Sequence, residues 1–167
     1  MKFKYCNDCG NKLILRNIPN EGAIPHCNKC DKPFFDFSYN ASICVVLNPN
    51  NEILLIKQNN IKTHYILVSG FTKPNETIEE CAIREVKEET NLNIIKTRLL
   101  KTYYYEKKDI LMIGVLCYTN NINYKLNFEV NEAKWFPIEK ATNFMSKDSI
   151  AFKTVQKALK IIKEQQA

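Results

Sequence analysis

The sequence predicts an α/β or α+β sandwich of about 130 residues behind a small cysteine-rich segment. Three observations predict it. Four cysteines fall in two close pairs within residues 1–36. From residue 41 on, short apolar runs of strand length alternate with turn residues. Two longer stretches, 77–90 and 148–164, instead repeat apolar residues at helical spacing. The 167 residues leave room for one ordinary domain plus an appendage, and 45% hydrophobic with 25% charged residues is a globular balance.

The appendage comes first. Cys6-x2-Cys9 and Cys27-x2-Cys30 are separated by 17 residues. An x2 spacing lets a tight turn aim two thiolates at one ion. Two such turns close a tetrahedral S4 shell, the geometry of structural zinc. Iron in a rubredoxin-like S4 site is the alternative. Gly10 follows the first pair, where a tight turn favours positive φ. Lys12, Arg16, Lys29 and Lys32 offset part of the thiolate charge. His26 is expected in a turn and not as a ligand. Residues 1–36 thus read as a zinc ribbon, too short to fold on an apolar core alone. Cys44, Cys81 and Cys117 lie in apolar runs and read as small core residues.

The larger domain, residues 38–167, follows. Strands are expected at 41–47 and 53–57, joined by the turn Asn48-Pro49-Asn50-Asn51. A third short strand is expected at 65–69. The 77–90 helix opens with Thr77-x-x-Glu80, a capping-box pattern. Strands at 94–105 and 109–118 are linked around Glu106-Lys107-Lys108. A short strand at 133–136 ends at Pro137. The 148–164 helix carries Ile150, Val155, Leu159 and Ile162 on or near one stripe.

Composition excludes several classes. Four glycines leave little room for a glycine-rich dinucleotide fingerprint or phosphate loop. The longest nearly unbroken apolar stretch, 110–118, is far short of the roughly 20 residues of a membrane helix. The N-terminus has no apolar signal-like run, so the expected compartment is a reducing cytoplasm, where paired cysteines are metal ligands. The net charge of +6 suits a phosphate-bearing partner without proving one.

That charge is unevenly spread. Glu76, Glu79, Glu80, Glu85, Glu88 and Glu89 lie between positions 76 and 89 with only Arg84 and Lys87 against them. At about 100° per residue from Ile78, Glu89 falls near 20°, Glu85 near 340° and Glu88 near 280°. The apolar residues Cys81, Ile78, Ala82, Val86 and Ile83 span roughly 300° round to 140°. The three glutamates therefore share an edge with the core-facing stripe. Like charges held beside a core repel and are costly to desolvate. A hard dication resolves that conflict, because Mg²⁺ and Mn²⁺ take carboxylate oxygens.

These residues form the pattern Gly70-x5-Glu76-x7-Arg84-Glu85-Val86-x-Glu88-Glu89-x-Asn91-Leu92. It resembles the Nudix box, Gly-x5-Glu-x7-Arg-Glu-U-x-Glu-Glu-x-Gly-U, with U apolar. Only the last glycine differs, and Asn91 tolerates the left-handed conformation that ends a helix. The resemblance covers roughly residues 38–165 and includes Glu132-Ala133-Lys134-Trp135-Phe136-Pro137 before the last strand, where Trp135 is expected to be structural. It implies an α/β/α sandwich with a mixed sheet, and hydrolysis of a nucleoside diphosphate linked to another moiety. Position by position, it implies that Glu85, Glu88 and Glu89 bind catalytic Mg²⁺ or Mn²⁺, with one acting as base. Arg84 would orient Glu85, and Gly70 would let the loop turn close to the metal. Glu76 would be structural or touch a second metal. Glu129 falls in the later loop that often supplies another ligand or base.

A zinc ribbon before such a domain resembles the NADH pyrophosphatase branch, whose members split NAD(H) and can remove NAD from RNA 5′ ends. Those enzymes carry a further N-terminal domain, expected to be absent here because the first cysteine is residue 6. They also carry a Ser-Gln-Pro-Trp-Pro-Phe-Pro array after the box; residues 102–112 here lack it. The expected substrate class is therefore wider: NAD(H), ADP-ribose or a similar dinucleotide, with RNA 5′ ends and a homodimer as further partners by analogy. Tyr103 and Tyr105 share a strand face and could stack on a base, with Tyr104 opposite. Tyr65 and Phe71 are further candidates for the pocket border. The competing reading is a nucleotide-sensing or RNA- or protein-binding module with a weakly active or inactive Nudix fold.

Overall fold

The computed structural model describes residues 3–59 and 63–166. The chain forms two compact units, Met1–Ser38 and Tyr39–Ala167. In the first, β1 (Ile14–Ile18), β2 (Gly22–Cys27) and β3 (Lys32–Pro33) pair antiparallel in the order β1-β2-β3. Asn20 and Gly22 turn β1 into β2 with positive φ, and Gly10 does the same after the first cysteine pair. The core is small: Cys6, Leu13, Cys27 and Phe34, with Phe3 packed against them. His26 departs from expectation. It lies within β2, buried, with Arg16 Nη1 3.2 Å from its Nε2. Arg16 and Lys32 are held by Asp31 and Asp8, at 2.9 and 2.7 Å.

The second unit is built on a mixed sheet. Its strands are β4 (Tyr39–Leu47), β5 (Glu52–Gln58), β6 (Val68–Phe71), β7 (Lys96–Tyr105), β8 (Ile110–Tyr118) and β9 (Val130–Pro137). The order is β7-β8-β4-β5-β9, with β6 also paired to β4. Only β4 and β8 run parallel among these pairings. The β4 run is apolar at successive positions because both faces are covered. Ile43, Val45 and Leu47 pack on one side with Val155, Ala158 and Ile162 of α3 (Ile150–Gln166). Cys44 and Val46 pack on the other with Ala82 and Val86 of α1 (Ile78–Thr90). This is the α/β/α arrangement.

Several boundaries differ from the sequence reading. The third strand begins at Val68, not 65. Tyr65 and Ile66 make only isolated bridges, to Met145 and Ile56. β9 starts at Val130, three residues earlier than expected, because its register continues past a bulge opposite Lys57 and Gln58. A short helix, α2 (Ile138–Ala141), follows Pro137 and buries Ile138 and Ala141. It is too short to show a helical period. Cys44, Cys81 and Cys117 are fully buried. Ile83, at the 140° limit of the predicted stripe, is 40% exposed. Among the described residues, no helix is long and apolar enough to cross a membrane.

Candidate active site

The site is built on the second half of α1 and the strand before it, β6. Thr77 caps the helix: its side chain accepts from the Glu80 N–H at 3.2 Å, and Glu80 accepts from the Thr77 N–H at 2.8 Å. At the other end Asn91 adopts φ 57°, and its N–H donates to Lys87 O. Asparagine thus performs the left-handed stop that glycine would provide.

Arg84 gathers the acids. Its Nε and Nη2 donate to the two oxygens of Glu76 at 2.6 and 2.9 Å. Nη1 donates to Glu85 at 2.5 Å and to Glu88 at 3.1 Å. Nη2 also reaches the Phe71 carbonyl at 3.0 Å, which ties α1 to β6. Glu76 further accepts the Lys73 N–H at 2.8 Å. The Arg84 guanidinium, with that N–H, holds the Glu76 carboxyl down at about 2, against the opposing effect of its burial. Both Glu76 oxygens are engaged, so its place is that of a fastener for Arg84.

Gly70 has a different reason from the one expected. It sits inside β6, paired with Ser42, and is absent from the positive-φ positions. A Cβ there would lie 1.9 Å from Glu85 Cδ and 2.0 Å from its Oε1. The glycine is needed because the Glu85 carboxylate occupies the space of its missing side chain, not because the loop turns there.

Glu89 is the buried member, 2% exposed. One oxygen accepts from Gln58 Nε2 at 3.3 Å; the other, Oε2, is buried without a hydrogen-bond partner among the described residues. Burial raises its pKa to about 8, and the charges of Glu85, Glu129 and Glu88 push the same way. Glu129 is exposed just before β9, and its charge adds to the upward push on Glu89. The carboxylates of Glu85, Glu88 and Glu89 are not drawn into one tight set: Glu85 and Glu88 turn onto Arg84, and Glu88 also meets Lys73 at 3.5 Å. An orphaned buried carboxylate beside two others is a donor set suited to a hard dication.

Two cavities are lined by Gln58, the partner of Glu89, together with other residues. One, of about 550 Å³, is lined by Gln58, Gly70, Phe71, Tyr105, Lys108 and Ser149 among others. The second, of about 470 Å³, is lined by Gln58, Asn59, Phe128 and Glu129. Phe71 and Tyr105 line the first cavity. Tyr103, though on the face of Tyr105, is not among the lining of either cavity, and its ring lies by Lys101 Nζ. Tyr104 points away and donates to Asp109. Tyr65 is not brought to the site. It is buried in the core against Phe136, and its hydroxyl donates to Glu132 at 2.5 Å. The end of β5 brings in Gln58, and the connections between elements bring in Lys108, Phe128 and Ser149; no spacing in the sequence marks them.

In the first unit, the sulfurs of Cys6, Cys9, Cys27 and Cys30 all lie within 4.8 Å of one another. Cys9 and Cys27 are 3.6 Å apart, Cys6 and Cys30 4.0 Å. These separations exclude disulfides. They match the roughly 3.8 Å edge of a tetrahedron with metal–sulfur bonds of about 2.3 Å. The backbone N–H of Cys30 pulls the Cys27 thiol down to about 7, while Cys9 and desolvation push Cys30 up to about 12. Four cysteine sulfurs this close form a set that could hold one thiophilic metal ion.

Comparison with known proteins agrees with the geometry. The NUDIX domain family model matches residues 38–157. The chain is 27% identical over 152 residues to the NAD-capped RNA hydrolase NudC of Pseudomonas fluorescens, a match covering 90% of this chain and 54% of that protein. It is 27% identical over 157 residues to the NAD-capped RNA hydrolase NUDT12 of Homo sapiens, covering 87% and 33%. The chain spans about half the length, or less, of these curated relatives. A NUDIX hydrolase structure from Nitrosomonas europaea superposes with a TM-score of 0.75 at 22% identity, covering 95% of this chain and 91% of that one. That likeness concerns the fold. With most of its length matched by the family model, and the glycine, arginine and glutamates of the 70–92 pattern converging on one strand–helix corner, the chain belongs to the NUDIX domain family.

Proposed function

We propose that this chain is a metal-dependent hydrolase that splits the pyrophosphate bond of a nucleoside diphosphate derivative: NAD(H), ADP-ribose or a similar dinucleotide. An RNA 5′ end carrying such a dinucleotide is the second substrate class. The observation that carries the reading is Glu85 held by Arg84 in the space left by Gly70, beside the orphaned carboxylate of Glu89. The NAD-capped RNA hydrolase relatives support the NAD-like class.

Glu85, Glu88 and Glu89, with Glu129, would hold Mg²⁺ or Mn²⁺. When bound, such an ion neutralises phosphate oxygens and acidifies a water. The rest is done by the chain. A carboxylate of the Glu85–Glu88 pair takes the proton of the attacking water as its oxygen joins phosphorus and the bridging P–O bond breaks. Arg84 keeps both carboxylates aimed through its charge-assisted hydrogen bonds. Gly70, over which the Glu85 carboxylate lies, lines one cavity, and Gln58, the partner of Glu89, lines both. The two halves of a dinucleotide can therefore lie on either side of the acids.

A panel of dinucleotides with Mg²⁺ or Mn²⁺ and product identification tests the reading; no phosphate-containing product from any of them would reject it. Arg84→Lys keeps the charge and loses the two-pronged grip on Glu76. Its kcat is expected to fall about 10–100-fold; unchanged kcat would show that Arg84 does not position the carboxylates.

For the ribbon we propose structural Zn²⁺ on Cys6, Cys9, Cys27 and Cys30. Elemental analysis of untreated protein should give one zinc per chain; iron instead would select the rubredoxin-like alternative. In Cys27→Ser, hydrogen exchange should show lost protection in β1–β3 with α1 and the β4–β8 sheet still protected. Full ribbon protection without metal would refute the assignment.

A further inference from the structure

One helix carries charge that the pyrophosphate chemistry does not use. α3 holds Lys153, Lys157, Lys160 and Lys163 against a single acid, Glu164. Ser149 closes its first turn: its Oγ accepts the Phe152 N–H at 3.1 Å, and its carbonyl accepts the Lys153 N–H at 3.0 Å. Ser149 and Ile150 both line the first cavity, as does Lys108. The helix therefore begins at the wall of the space proposed for the dinucleotide.

From that wall a row of residues leads away. Ile150, Lys153, Lys157 and Lys160 stand at i, i+3, i+7 and i+10. At about 100° per residue they fall within a sector of about 80°, and the row rises about 15 Å along the axis. A residue of the cavity wall thus heads a line of three lysines. Lys153 and Lys160 are exposed, and Lys157 is half-buried. Among the described residues, no acid pairs with Lys153 or Lys157, and Lys160 meets only Glu164, at 3.9 Å. Like charges three and four apart destabilise a helix, and a polyanion laid along the row relieves that repulsion. Beside the row, a groove of about 400 Å³ is lined by Gln156, Leu159, Lys160, Lys163 and Glu164. The apolar side of α3, with Val155, Ala158 and Ile162, is spent on the sheet, so it is not free to enter a lipid surface. A single-stranded nucleic acid has the matching form: a flexible chain of phosphates that proteins hold in positively charged tracks.

We propose that, when the substrate is an RNA 5′ end, the chain beyond the terminal dinucleotide leaves the first cavity over Ile150 and runs along Lys153, Lys157 and Lys160. The track rests on the hydrolase reading in its RNA class. It adds the residues that hold the RNA body, apart from those that meet the reacting dinucleotide.

The test uses the full chain with Mn²⁺ and two substrates, free NAD and an RNA carrying NAD at its 5′ end. The triple variant Lys153→Gln, Lys157→Gln, Lys160→Gln should lose about 10–100-fold in kcat/KM on the RNA and keep its rate on free NAD. The matching triple change to Arg should keep both. For wild type on the RNA, log kcat/KM should fall against log salt with a slope of about −2 beyond that of free NAD, and the Gln variant should lose this excess. Equal losses on both substrates, an unaltered rate on the RNA, or an unaltered salt slope overturns the track, as does hydrolysis of NAD without hydrolysis of the RNA. If neither substrate is hydrolysed, the hydrolase reading fails, and fluorescence anisotropy of the same RNA then decides the track alone. Binding weakened in the Gln variant and kept in the Arg variant supports it; equal binding or none rejects it. Wild-type binding to vesicles of anionic lipid, lost in the Gln variant while binding of the RNA is unchanged, would assign the row to a membrane instead.

Discussion

Glu89→Gln should cut turnover by orders of magnitude and make the metal-free protein more stable. The two effects share one cause. Glu89 is 2% exposed, and its Oε2 has no partner among the described residues. Its pKa is raised from an ordinary 4.5 to about 8, burial being the first cause. Such a group favours folding when protonated. Its penalty in the metal-free protein is absent below about pH 4.5, grows as pH rises, and levels off above about 8. Glutamine keeps the shape and removes the charge. The stability gain, read as a melting-temperature difference without metal, should thus be small at pH 5 and largest near pH 9, on the order of a few kcal/mol. Added Mg²⁺ or Mn²⁺ should stabilise wild type and not the variant. Turnover should fall about 10²–10⁴-fold. Unchanged turnover would remove Glu89 from the metal site; a variant less stable than wild type at pH 9 would show that the buried charge carries no net penalty.

Gly70→Ala should separate activity from stability in the opposite way. The new Cβ would meet Glu85 Cδ at 1.9 Å. That atom is the far end of a flexible side chain, and the backbone at Gly70 needs no unusual φ. The carboxylate can move aside, so the melting temperature should change little. Leaving its place, however, also disturbs the 2.5 Å contact with Arg84. A displacement on the order of 1 Å at a reacting group can lower rate about 10²-fold. A drop of that size in kcat with intact thermal unfolding is the expected result. Full activity would show that Glu85 works from another position; loss of folding would show that the strand cannot yield.

The acidic helix was readable before any coordinates. Thr77 and Glu80 marked its start, Asn91 its end, and the angular arithmetic put Glu89 on the core side, where it is buried. These signals are local and repeat with the helical period, so they survive in one dimension. The aromatic residues show the limit. Phe71 and Tyr105 reach a cavity, whereas Tyr65, equally plausible by type, is locked in the core by Phe136 and Glu132. Side-chain type does not say on which side of a sheet a ring lies when the strand boundary moves from 65 to Val68.

What this sequence determined by itself is the list of chemical groups and their spacing: four cysteines in two turns, and the 70–92 pattern of glycine, arginine and glutamates. Those spacings act within one turn or one helix, where backbone geometry alone sets which side chains are neighbours. Only the tertiary structure decided why Gly70 is glycine, because the atom that would collide with a side chain there belongs to Glu85, fifteen positions on and in another element. It likewise decided that Gln58 and Asn59 of β5 and its end would stand beside Phe128 and Glu129, which come into reach only when β9 pairs with β5. Contacts of that kind depend on strand order and register, which are settled by packing over the whole sheet and leave no local mark in the chain.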